Sequence, residues 1–129
     1  MAWFSYKQNN SGGRVVQNDS VDWFVWIEAE SVRVANARAE DVGIYFDGCS
    51  TGNDCSCCGD RWSEPWEDEG DAEPMNYDTP VVREVGAKAF GGGLSMSSMY
   101  DGTMHLYHAD GTHERISTVK GLVTGVTRS

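Results

Sequence analysis

The chain reads as an α+β domain, an antiparallel β-sheet with one principal helix, a cysteine-rich loop and a C-terminal β meander. Three observations predict this class. Residues 2–8 and 21–29 are crowded with aromatic and β-branched side chains, residues 31–43 repeat apolar side chains at helical spacing, and two Asp-Gly dipeptides punctuate the C-terminal half. At 129 residues the chain has the length of one domain, 1–129, with one modest core.

The two N-terminal strands are separated by Asn9-Asn10-Ser11-Gly12-Gly13, a run of turn formers. In the second strand Trp23, Val25, Ile27 and Ala29 alternate with Phe24 and Trp26, so both faces are apolar. That pattern predicts a central strand rather than an edge. Ser31 then offers an N-cap oxygen, and Val32, Ala35, Ala39 and Val42 recur as one buried helical stripe until Gly43 supplies the stop. Arg33 and Arg38 fall off that stripe and are expected to face water.

From Trp62 to Pro80 there is no periodicity but an abundance of Glu, Asp, Pro and Gly, which predicts an irregular acidic loop. Gly91-Gly92-Gly93 is not a phosphate cradle, because no Walker lysine follows it. Asp101-Gly102 and Asp110-Gly111 are read as two-residue type I′ turns joining strands 94–100, 103–109 and 112–118. On that reading Tyr100 opposes Thr103, Ala109 opposes Thr112 and His108 opposes His113. Leu94, Met96, Tyr100, Tyr107 and Ile116 then share the core face, and Met99, Met104, Leu106, His108 and His113 share the other. His105 reads as a core-edge residue. The segment 119–129 is expected to be a flexible tail.

A net charge of -10 argues against binding to nucleic acid, which depends on cations displacing counterions from phosphates. A basic partner fits better. The charge is concentrated, since Asp60, Glu64, Glu67, Asp68, Glu69, Asp71 and Glu73 are opposed within that stretch only by Arg61. Within it Trp62 and Trp66 are candidate apolar anchors, and Glu67, Asp68 and Glu69 the candidate charged contacts, of a partner-binding surface. Met1 to Lys7 show neither a basic leader nor the apolar run of a secretory signal, and no stretch has the length of a membrane span, so a cytoplasmic protein is expected.

All the cysteines fall between Cys49 and Cys58, and in a reducing compartment clustered cysteines are more often metal ligands or reactive thiols than structural disulfides, with unligated thiols and redox chemistry as the alternatives to a metal. Cys55-x-x-Cys58 followed by Gly59 has the form of a zinc knuckle, and a closed structural zinc site takes four ligands. Cys49 is the better third ligand, because Cys57 and Cys58 would point to opposite sides of an extended backbone. His108 and His113, opposed across the hairpin, could complete the site. Nearby Asp47, Asp54 and Asp60 should raise the thiol pKa values and disfavour nucleophilic catalysis, so an enzyme is not expected.

The strings Trp3-Phe4-Ser5-Tyr6-Lys7-Gln8-Asn9-Asn10-Ser11-Gly12-Gly13 and Tyr45-Phe46-Asp47-Gly48, with Asp54-Cys55-Ser56-Cys57-Cys58-Gly59-Asp60-Arg61-Trp62 and the helix region from Ile27 to Gly43, resemble a family of small proteins of tailed bacteriophages. The likeness covers about the first half of the chain. In that family proline often stands where this chain has Ser56. The resemblance implies expression in the cytoplasm of an infected bacterium and carries no activity with it. The expected role is a non-enzymatic accessory protein that binds and modulates a host protein around a structural zinc knuckle. The alternatives are a virion or assembly component and a protein that sequesters a nucleotide immune signal.

Overall fold

β1 (Ala2–Lys7) and β2 (Phe24–Ala29) pair antiparallel, from Ala2 opposite Ala29 to Lys7 opposite Phe24, in a computed structural model that describes residues 1–9, 15–76, 79–87 and 101–129. β2 is central, as its two apolar faces require: its other edge carries β5 (Gly102–Tyr107), with Val25 beside His105 and Ile27 beside Tyr107. This pair is parallel, so the sheet is mixed rather than wholly antiparallel. β6 (His113–Val119) and β7 (Leu122–Arg128) continue it as an antiparallel meander, giving the order β1-β2-β5-β6-β7. β3 (Met75–Asn76) and β4 (Thr79–Pro80) form a separate two-stranded ladder. The predicted strand 94–100, with Leu94, Met96, Met99 and Tyr100, lies outside the described residues, as do the glycines Gly91 to Gly93.

The helix forms where the apolar stripe placed it. α1 (Val32–Asp41) starts at Ser31, whose Oγ accepts from the Val34 amide, and Gly43 leaves it at φ +105°. Ala35 and Ala39 are fully buried against one sheet face, where Phe4, Tyr6, Val25, Ile27, Ile44, Trp62 and Tyr107 complete a core. Arg33 is exposed, while Arg38 is half-buried and donates to the Glu28 carbonyl. The opposite face holds a second core of Trp3, Trp26, Val81, Met104, Leu106, Ile116 and Val123. Trp23, expected beside Val25, packs with this second group instead.

Two expectations in the C-terminal half are corrected. The β5–β6 register pairs Tyr107, not His108, with His113. Gly111 at φ +96° donates to the His108 carbonyl and the His108 amide to Thr112, so the connection has three residues rather than two. Asp110-Gly111 therefore closes a type I turn with a glycine bulge, the other common hairpin solution for this dipeptide. A shift of one residue exchanges faces. His105, Tyr107 and His113 consequently share one face, and Met104, Leu106, His108, Glu114 and Ile116 the other. Second, residues 122–128 are not a tail but β7, closed on β6 by Lys120 (φ +50°) and Gly121 (φ +80°). The Asp101 carboxylate holds this turn by accepting from the Lys120 amide at 2.5 Å.

Candidate metal centre

The cysteine loop hangs from a buried polar network. Asp47 at φ +56° turns the chain into the single helical turn α2 (Gly48–Thr51), after which it curls back so that the Asp54 amide reaches the Gly48 carbonyl. A Cβ on Gly48 would lie 1.8 Å from Asp54 Oδ2, so only glycine fits there. The Asp54 carboxylate is fully buried and accepts from Tyr45 Oη (2.6 Å) and the Arg61 amide (2.8 Å), with Arg61 Nε 3.7 Å away. Arg61, itself 5 % exposed, donates from Nε to Tyr45 Oη and from Nη1 to Gln8 Oε1. Gln8 donates in turn to the Val16 and Asp22 carbonyls. From the same strand end Asn9 donates to the Cys58 and Asp60 carbonyls, and the Asp60 carboxylate accepts from the Cys49 amide. The repeated aspartates of the motif are thus struts of the loop.

On this mooring Cys55, Cys57 and Cys58 stand at the surface with all three sulfurs within 4.8 Å of one another. Cys57 Sγ is 2.8 Å from Cys55 Sγ and 3.8 Å from Cys58 Sγ. Cys57 therefore belongs to the cluster, against expectation, because this stretch is a tight turn and not the extended backbone on which its exclusion rested. Cys49 is outside it, with Sγ donating to the Cys55 carbonyl. Its thiol is pushed up by desolvation and by the Asp60 carboxylate. Cys55 shifts the other way, to about 7, because the Cys57 thiol donates to it, and Cys57 is correspondingly pushed up to about 11. The nearby carboxylates thus raise the Cys49 thiol as expected but do not govern Cys55.

Three convergent soft donors make a group that could hold a thiophilic metal ion, supplying three of the four ligands that a closed tetrahedral site takes. With Zn–S bonds of about 2.3 Å, a tetrahedral site has sulfurs roughly 3.8 Å apart. The Cys57–Cys58 separation already matches that edge, and Cys55 has to open by about 1 Å.

His108 and His113 are not brought to these thiols or to each other. The cysteine turn is moored at Asn9, beyond the Lys7 end of β1, whereas the histidines flank the β5–β6 turn, level with Trp3 and Phe4. The two ends are roughly 17–20 Å apart along the strands. His108 packs edge-on against Trp3 and bonds the buried Glu114 carboxylate at 2.9 Å. Arg83 and Arg128 approach the same Glu114 oxygen, at 3.2 and 3.6 Å. His113 stacks on Tyr107 and places Nε2 2.8 Å from His105 Nδ1.

That histidine pair gives the fold an acid limit. Desolvation lowers both residues to about 4, with His113 and Arg115 adding to the effect on His105. A histidine in the unfolded chain titrates near 6.5, so the unfolded state binds more protons between these values and stability falls with falling pH. The contribution is whole above about pH 6.5, is lost on the way to about 4, and changes no further below that. His105 accounts for up to about 3 kcal/mol, and the more exposed His113 for less. Urea midpoints measured from pH 7.5 to 4 should decline through this window, and His105→Phe should flatten the decline above pH 4.5.

The acidic segment is more ordered than its composition suggests. Trp62 is 1 % exposed in the core beneath α1, so it is not a partner anchor. Trp66 is 74 % exposed at the start of a single 3-10 turn, Glu67–Glu69, where Glu69 Oε1 accepts from the Trp66 amide. Glu67 accepts from the Val32 amide and so covers the N-terminus of α1, a structural role beside any role in binding. Asp71 pairs with Trp3 through both main-chain bonds. No helix among the described residues is long and apolar enough to cross a membrane.

The chain belongs to the family described as Domain of unknown function (DUF7296), whose model matches residues 1–126. No curated protein and no solved structure matches it.

Proposed function

We propose that this family member is a non-enzymatic accessory protein of a bacteriophage, one that binds and modulates a host protein in the cytoplasm of the infected cell while a zinc ion on Cys55, Cys57 and Cys58 orders its surface. The observation that carries the metal is the convergence of three thiols on a turn held by hydrogen bonds from Asn9 and to Asp54. Zinc supplies a crosslink there, which contributes directly to folding free energy in a small domain. Partner binding is assigned to Trp66 with Asp68 and Glu69, a solvent-facing aromatic amid carboxylates, which suits a basic surface.

Zinc titration of the reduced chain, followed by elemental analysis, should give one ion per chain. Cys55→Ser, Cys57→Ser and Cys58→Ser should each weaken binding by at least about tenfold, and Cys49→Ser should not. A reduced chain that takes up no zinc removes the metal from this reading. For the partner, affinity capture from host lysate with the native chain and with Asp68→Lys should differ in a shared set of proteins. Identical capture by both removes the acidic segment.

A further inference from the structure

We propose that the open edge of β1 takes an extended, cationic segment of the partner protein as an added β-strand, seated in the groove between that edge and the acidic segment. This rests on the partner-binding reading above and names its mode. In β1 the residues whose main-chain groups point away from β2 alternate. Trp3 is one of them, since its amide and carbonyl both bond Asp71, and Asn9 beyond the strand is another, its amide donating to the Arg61 carbonyl. Ser5 and Lys7 stand between. Phe4 and Tyr6 face β2, as does Gln8, whose amide donates to the Trp23 carbonyl.

The chain from Arg61 to Asp71 is therefore stitched to the β1 edge at its two ends and arches away in between. It leaves a cleft of about 640 Å³, floored by Ser5 and Lys7 and walled by Glu64, Trp66, Glu69 and Asp71. The Ser5 amide and carbonyl look into this cleft and pair with no described residue. An edge with unmet main-chain groups is the template for strand addition, with affinity from the ladder and selectivity from the walls. Here the walls carry three carboxylates against the Lys7 ammonium, and Trp66 offers a face on which a guanidinium can stack. A chain of net charge -10 disfavours a second copy of itself or a nucleic acid as the occupant.

The test is titration of the ¹⁵N-labelled full chain with acetyl-Arg-Val-Arg-Val-Arg-amide, beside the same peptide N-methylated at both valines and an all-Glu counterpart. Saturable binding that shifts the Ser5 amide and the Trp66 indole is expected, weakened about tenfold by N-methylation and absent for the acidic peptide. Trp66→Ala, a change at an exposed position, should weaken it further. Equal binding of the N-methylated peptide with the Ser5 amide unmoved overturns strand addition and leaves the acidic contact standing. Failure of every basic peptide to bind also overturns strand addition, whereas the partner reading fails separately, when Asp68→Lys leaves lysate capture unchanged.

Discussion

Asp54→Ala should lower the stability of the chain by about 3–5 kcal/mol, the range found when one member of a buried ion pair is removed. The carboxylate is fully buried, accepts from Tyr45 Oη and the Arg61 amide, and lies 3.7 Å from the Arg61 guanidinium. Its loss removes the negative charge 3.7 Å from a guanidinium that is itself 5 % exposed. Asp54→Asn should cost less, because the amide keeps an acceptor oxygen for one of these donors. Zinc affinity should fall in the alanine variant even though no thiol has been touched, since Asp54 and Arg61 fix the turn from which Cys55, Cys57 and Cys58 project. Chemical denaturation together with zinc titration measures both effects, and a stable Asp54→Ala chain with unaltered zinc affinity would show that the thiol turn organises itself.

Trp62→Ala should be as damaging, by about 3–5 kcal/mol, for the different reason that it empties a large volume from a packed core. Trp62 is 1 % exposed and lies with Phe4, Tyr6, Ile44 and Ala39. Trp66→Ala should leave stability within about 0.5 kcal/mol, because its ring stands in solvent. Thermal melting of the two variants side by side separates a core tryptophan from a surface one only four positions away, and equal losses would refute the assignment.

The contrast between these tryptophans shows what could be read from the sequence. The central strand and the helix were legible because each is a local pattern: alternation with two apolar faces at Trp23 to Ala29, and a stripe from Val32 to Val42 between Ser31 and Gly43. The Trp62–Trp66 stretch has no period, so burial there is decided by tertiary packing. The one-residue error in the β5–β6 register came from a dipeptide that serves two turn geometries, and it exchanged the partners of all three histidines. β7 was missed because Lys120-Gly121 is not a customary hairpin dipeptide, although the β-branched run at Val123, Thr124, Val126 and Thr127 was a signal in its favour. At the candidate centre the thiols were legible as a cluster. Their support was not, because Gln8, Tyr45, Asp54 and Arg61 meet only after folding.

The parallel pairing of β2 with β5 bears on how the molecule is made. Val25 finds His105 only after most of the chain has left the ribosome, so the N-terminal hairpin and helix must wait with the Val25 to Ile27 edge unpaired and the Phe24 and Trp26 face uncovered. Contacts this distant in sequence slow folding and lengthen exposure to aggregation. Nascent chains stalled before Gly102 should accordingly be the ones that chaperones capture.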